Sequence, residues 1–230
     1  MAGVLERSYI EICGFERETV SRFRQITLNL AGVGVSSGGV KYADSAGGFS
    51  YEDSGKLLSV TSNRFIHWST SGDTVQLVEQ SLDTNLLNNA VRLHIPQCLL
   101  LPGGVSIQET LNNVIILIVT SQSVHRLVLP HPTRMYHTQR FVRDLVTELQ
   151  MQSIFTDIGK LNLNGPAHSY VLPFTQGPQS SAPSTSAAWI SHQGEALFAL
   201  ASPSGGITVV TLPDYDQDGT YLHLYLSYPK

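Results

Sequence analysis

Charged side chains are scarce: Asp, Glu, Lys and Arg make up 14% of the 230 residues, against about a quarter in an ordinary soluble domain. That deficit points to surface covered by further chain or by a partner. Cysteine is nearly absent. Cys13 and Cys98 lie 85 positions apart, which excludes a disulfide scaffold and a spaced metal site and leaves free thiols in a reducing compartment. The most apolar run, Val114–Val119 (VIILIV), is six residues long, about a third of a membrane span. MAGVLERSYI at the N-terminus has no basic segment followed by an apolar core, so no secretory leader is read there and the chain is placed in the cytosol or nucleus. A formal net charge of -4 supplies no overall attraction to nucleic acid or an anionic membrane.

What the chain does have is strands. Lys56–Val60 (KLLSV) and Arg64–Trp68 (RFIHW) are short apolar and aromatic runs, followed by a Gly72–Asp73 turn and TVQLVEQ, where Val75, Leu77 and Gln80 are taken as the alternating set. This spacing predicts three antiparallel strands. A second unit is NVIILIV, a TSQ connection and SVHRLVL; a third is EALFALA, an SPSGG turn and ITVVTLP. The units start at Leu57, Val114 and Ala196, 57 and 82 residues apart. Repeated strand, turn, strand units with few helices predict an all-β fold, a partial WD40-like β-propeller with an inserted amphipathic helix, rather than a parallel α/β sheet or a sandwich. Residues 1–230 hold about three to four blades, too few to close a ring of the usual roughly four to eight. A longer parent protein or an alternative C-terminus is therefore expected.

The inserted helix is placed at 139–155, where Phe141, Leu145, Leu149 and Ile154 share one face and Arg140, Arg143 and Glu148 fall on others. Those three charged residues form a candidate protein interface. GPQSSAPST, residues 177–185, reads as a flexible loop with no apolar face to bury.

Catalytic patterns fail on their chemistry. His67, Ser71 and Asp73 are the residue types of a triad, but the same residues fit a strand and its turn, and there is no GxSxG elbow. Ala31–Gly39 (AGVGVSSGG) lacks the GK[ST] ending of a phosphate loop, and Ser37 stands where GxGxxG needs its third glycine. SAGG at 45–48 and LPGG at 101–104 read as turn material. His67, His94 and His125 sit inside predicted strands, and His131 and His137, flanking PTRMY, lack further ligands in metal spacing. No catalytic, cofactor or metal residue is assigned. Arg64, Phe65, Ile66, His67, Trp68, Gly72 and Asp73 are read as a structural blade motif.

Several longer stretches carry a resemblance. KYADSAGGFSYEDSGKLLSVTSNRFIHWSTSGDT, SLDTNLLNNAVRLHI, LPGGVSIQET, HRLVLPHPTRMY, MQSIFTDIGK and GEALFALASPSGGI together resemble the N-terminal β-propeller of the vertebrate 160-kilodalton nucleoporins, from about Leu5 to Asp216. The resemblance implies a scaffold subunit of the nuclear pore's outer-ring, Y-shaped subcomplex at the nuclear envelope. That role supports pore assembly, mRNA export and nucleocytoplasmic transport through protein contacts. It implies a small WD-repeat nucleoporin and helical scaffold nucleoporins as partners, with no enzyme activity, cofactor, direct nucleic acid or transmembrane segment. MQSIFTDIGK is expected to attach the insertion to the propeller. HTQRFVRDLVTELQ is longer than the family segment, and TYLHLYLSYPK departs from the family continuation. The alternative reading from the residues alone is a propeller interaction module of a regulatory complex outside the pore.

Overall fold

The computed structural model describes residues 23–33, 41–52, 61, 63–82, 85–135, 151–173, 183–215 and the backbone of 222–227. Its strands, in chain order, are β1 (Arg24–Thr27), β2 (Ser45–Ser50), β3 (Arg64–Ser71), β4 (Thr74–Ser81), β5 (Leu86–Leu87), β6 (Ala90–His94), β7 (Leu100–Glu109) and β8 (Asn113–Thr120). They continue with β9 (Ser123–Pro130), β10 (Met151–Gln152), β11 (Ser169–Val171), β12 (Thr185–Ile190), β13 (Ala196–Ala201), β14 (Gly206–Leu212) and β15 (Leu222–Ser227). Three larger sheets result, ordered β1-β6-β4-β3-β2, β11-β9-β8-β7 and β12-β13-β14-β15, beside a two-stranded pair β10-β5. The last is a plain four-strand antiparallel meander. One edge strand of each sheet runs beside that of the next, β2 near β7 and β7 against β12, so the sheets fan out as blades of an all-β, partial propeller.

Burial explains why the three blades have different sequence textures. In the first, Ile66, Val75, Leu77, Val91 and Leu93 are fully buried, while the alternate positions stay part-exposed. The third blade alternates in the same way, with Ala196, Phe198, Leu200, Val210 and Leu212 inward. The middle blade is covered on both sides. Val114, Ile116 and Ile118 join the core shared with the first blade, and Ile115, Leu117 and Val119 join the one shared with the third. VIILIV is thus the continuous apolar run of a strand with no wet face. Burying one such side chain contributes roughly 1.5–3 kcal/mol.

Several sequence expectations are corrected. SAGG at 45–48 is not a turn but most of β2, pairing antiparallel with β3. It lies flat under Trp68, whose ring would sit 2.6 Å from a Cβ added at Gly47. LPGG at 101–104 lies within β7, where the register to β8 shifts between Leu100 and Val105, a bulge that bends the strand. In β4 the inward set is Val75, Leu77 and Glu79, not Gln80. KLLSV, residues 56–60, lies outside the described residues. So does 139–150 of the expected helix; its last residues are not helical, since Met151 and Gln152 form β10, parallel to β5, and 154–157 form a turn. Of the expected loop at 177–185, residues 177–182 lie outside the description and Thr185 already begins β12. Among the described residues no helix is long and apolar enough to cross a membrane.

Candidate functional site

The residue that organises the first blade is Glu79. Period-two alternation in β4 carries it inward beside Val75 and Leu77, where its side chain is 0% exposed. An isolated carboxylate there would be very costly, and five hydrogen bonds hold it. Arg64, at the start of β3, grips it as a fork, Nε donating to Oε1 at 2.7 Å and Nη2 to Oε2 at 3.0 Å. The Tyr51 hydroxyl donates to Oε1 at 2.6 Å. The Ser153 hydroxyl and the Ile154 backbone N–H donate to Oε2 at 2.7 and 2.8 Å. Burial, reinforced by the Glu79 carboxylate, pushes the Tyr51 phenol far above its ordinary value, so Tyr51 stays a donor.

Two of these donors come from MQSIFTDIGK. That segment re-enters the first blade through β10, and Arg64 Nη2 also donates to the Gln152 carbonyl at 3.1 Å. Ile154, Phe155 and Ile158 then fill the core between the first two blades, and Ile158–Lys160 closes in a short 3₁₀ turn. The Arg64–Glu79 pair therefore clasps the end of the long 131–168 connection onto the blade.

A second polar node lies inside the middle blade. His125 is buried in β9, with Nε2 2.8 Å from Ser123 Oγ and Nδ1 2.8 Å from Ser169 Oγ. Ser169 spends its hydroxyl proton on the Leu163 carbonyl at 2.6 Å. Its oxygen must therefore accept from His125 Nδ1–H, leaving Nε2 to accept from Ser123. Burial pushes the imidazole down to about 3, so it is neutral and pins β11 to β9. Burial likewise pushes the Cys98 thiol up, keeping it a small core residue rather than a thiolate.

The blades are also joined strand to strand. The Ser186 and Thr185 hydroxyls donate to the Pro102 carbonyl at 3.3 and 3.4 Å, and the Ile190 N–H donates to Gln108 Oε1 at 2.9 Å. Gly103 has φ +69, and a Cβ there would strike the Ser186 carbonyl oxygen; the LPGG bulge is what lets β12 approach. Between the first two blades, the Glu52 N–H donates to Glu109 Oε1 at 2.7 Å, while within the middle blade His131 Nε2 lies 3.4 Å from Glu109 Oε2.

The predicted blade motif divides into parts. Arg64 and Ile66 are interior and Trp68 covers β2, whereas Phe65 and His67 meet edge to face on the open side, 4.9 Å between ring centres. Gly72, at φ +59, and Asp73 make the β3–β4 turn. Asp73 Oδ2 lies 3.2 Å from His94 Nε2, and the Gly72 and Asp73 carbonyls accept from the Leu100 and Ile95 N–H groups. Ser71 turns away to donate to Asp44 Oδ2 at 3.3 Å. His67, Ser71 and Asp73 are thus not assembled into a relay. Among the described residues no group of three His, Cys, Asp or Glu stands where it could hold a metal ion. Arg140, Arg143, Glu148 and His137 lie outside the described residues. Sequence reading missed Glu79 and the His125 node; a charged residue on the inward phase of TVQLVEQ was the available signal for the first.

Comparison with known proteins follows this architecture. The model of the nucleoporin Nup120/160 β-propeller domain matches residues 64–227, from the first residue of β3 to the last of β15. The chain is 58% identical over 219 residues to mouse nuclear pore complex protein Nup160 and 55% identical over 221 residues to the human protein, covering 95% of this chain in each case. It is 32% identical over 166 residues, 72% of the chain, to the Drosophila Nup160 homolog. The chain spans about 15% of the length of the mouse and human relatives.

Proposed function

The chain belongs to the nucleoporin Nup120/160 β-propeller family, and on that premise we propose that it is a structural scaffold subunit of the nuclear pore complex. Its place is the outer-ring, Y-shaped subcomplex at the nuclear envelope, among a small WD-repeat nucleoporin and helical scaffold nucleoporins. Support for pore assembly, mRNA export and protein transport is indirect, through shape and buried contacts. The observation that carries this reading is the coincidence of the family match with the blade architecture, over 64–227. The polar constellations support it as well. Glu79 and His125 spend their hydrogen-bonding capacity inside the protein, on residues far apart in sequence, which is the work of rigid scaffolding. The reading assigns no catalytic residue and no cofactor.

The test is where the chain goes. A fluorescently tagged 230-residue chain, expressed in dividing cells, is expected to collect at the nuclear rim in pore-sized foci that overlap other outer-ring subunits. Uniform cytosolic fluorescence from a folded chain would favour an interaction module outside the pore.

A further inference from the structure

The long 131–168 connection leaves the middle blade at His131 and reaches the first blade at Ser153, and Tyr51 stands between the two points. At the departing root, His131 is buried and its backbone N–H donates to the Asn112 carbonyl at 2.9 Å. Its Nδ1 accepts from the Thr133 N–H at 3.3 Å and lies 2.7 Å from the Thr133 hydroxyl. Nε2 therefore carries the ring hydrogen towards Glu109 Oε2. The Tyr51 and His131 rings meet edge to face, 5.8 Å between centres and 88° between planes. At the returning root, Ser153 and Ile154 donate to Glu79 Oε2, and the Tyr51 hydroxyl donates to the other oxygen of that carboxylate.

Tyr51, itself buried, thus serves one root with its ring and the other with its hydroxyl. The next residue, Glu52, donates its N–H to Glu109 Oε1, while His131 faces Oε2 of the same carboxylate. Glu109 therefore holds both the departing root and the seam between the first two blades, and Glu79 holds the returning root. Releasing either root leaves buried polar groups short of a partner. Tyr51 is the side chain through which that shortage reaches the other root.

We propose that Tyr51 makes the two roots a single latch, which opens and closes as one unit and takes the seam between the first and middle blades with it. Whatever loads the connection between its roots is then felt where those two blades meet. The latch is built from interior contacts, so it depends neither on the pore assignment nor on how the ring of blades continues. The third blade contributes nothing to it, which makes β13 and β14 an internal reference.

Amide hydrogen exchange of the isotope-labelled 230-residue chain, read residue by residue, tests it. The N–H groups of Glu52, His131, Arg134, Ser153 and Ile154 are expected to share one opening constant and to exchange faster than the β13–β14 amides. Ser153→Ala removes a donor at the returning root only. It is expected to speed exchange about tenfold at all five, His131 and Glu52 included, and to leave β13–β14 unchanged. Thr133→Val acts at the departing root and should speed Ile154 as well, because coupling runs both ways; it carries the test alone should Ser153→Ala fail to fold. In a Tyr51→Phe background, which keeps the ring and loses the hydroxyl, each substitution should speed only its own root. Faster exchange confined to the substituted root while Tyr51 is intact overturns the proposal. An equal rise in β13–β14, which is global unfolding, overturns it too, as does transmission between the roots that persists in Tyr51→Phe.

Discussion

Glu79 shows how one side chain ties together residues that are 74 positions apart. Its partner Arg64 is 3% exposed, so removing the carboxylate alone strands a buried guanidinium. Glu79→Leu is expected to cost roughly 3–5 kcal/mol in urea unfolding. The double variant Arg64→Met with Glu79→Leu should lose less than the single one, because the unpaired charge is the larger penalty. Losses that simply add would contradict a coupled pair. His125 makes a prediction in pH. Its folded value, about 3, lies below the ordinary 6.5, so the unfolded chain takes up the proton first as pH falls. The His125 contribution is therefore complete above about 6.5 and drains as pH falls towards about 3, by up to about 1.4 kcal/mol per pH unit. Unfolding measured at pH 7.5, 6 and 5 should show this slope, and His125→Gln should flatten it even if its stability is lower throughout. An unchanged slope in the variant would sink the assignment.

At the scale of elements, two glycines with positive φ separate a turn from a joint. Gly72, at φ +59, has nothing within 4 Å of an added Cβ, whereas at Gly103, at φ +69, the Ser186 backbone blocks it. Gly72→Ala should cost about 1 kcal/mol from backbone strain alone. Gly103→Ala should cost about 1–3 kcal/mol more, because it forces β12 away from β7. Equal losses in thermal unfolding would mean that the blades are not held at this point. The same elements show what was legible in sequence. The β8–β9 and β13–β14 hairpins stand out because their strands are rich in Val, Ile and Leu and their turns are short. SAGGFS was illegible as a strand because its glycines look like a turn, and only the Trp68 ring packed over Gly47 explains why small residues are needed there. Glu79 was hidden because the alternation was followed to Gln80, one residue out of phase. The family resemblance leads one to expect MQSIFTDIGK to hold the propeller, but not that Glu79 receives Ser153 and Ile154, since that partner lies in another blade.

For the whole molecule, the spacing and texture of three repeated hairpins indicated a part-propeller. The continuous VIILIV run marked the blade that both neighbours cover. Which faces remain open was not legible, because it depends on blade order and register rather than on any local pattern. The scaffold account makes its own demand: a chain whose polar groups are spent on internal joints must act through its surfaces. The direct measurement is affinity capture of the tagged 230-residue chain from cells under mild conditions, with the bound proteins identified by mass spectrometry. The account predicts enrichment of outer-ring nucleoporins over a tag-only control, undiminished by nuclease treatment. Recovery of chaperones alone, or of a partner set without nucleoporins, would contradict it.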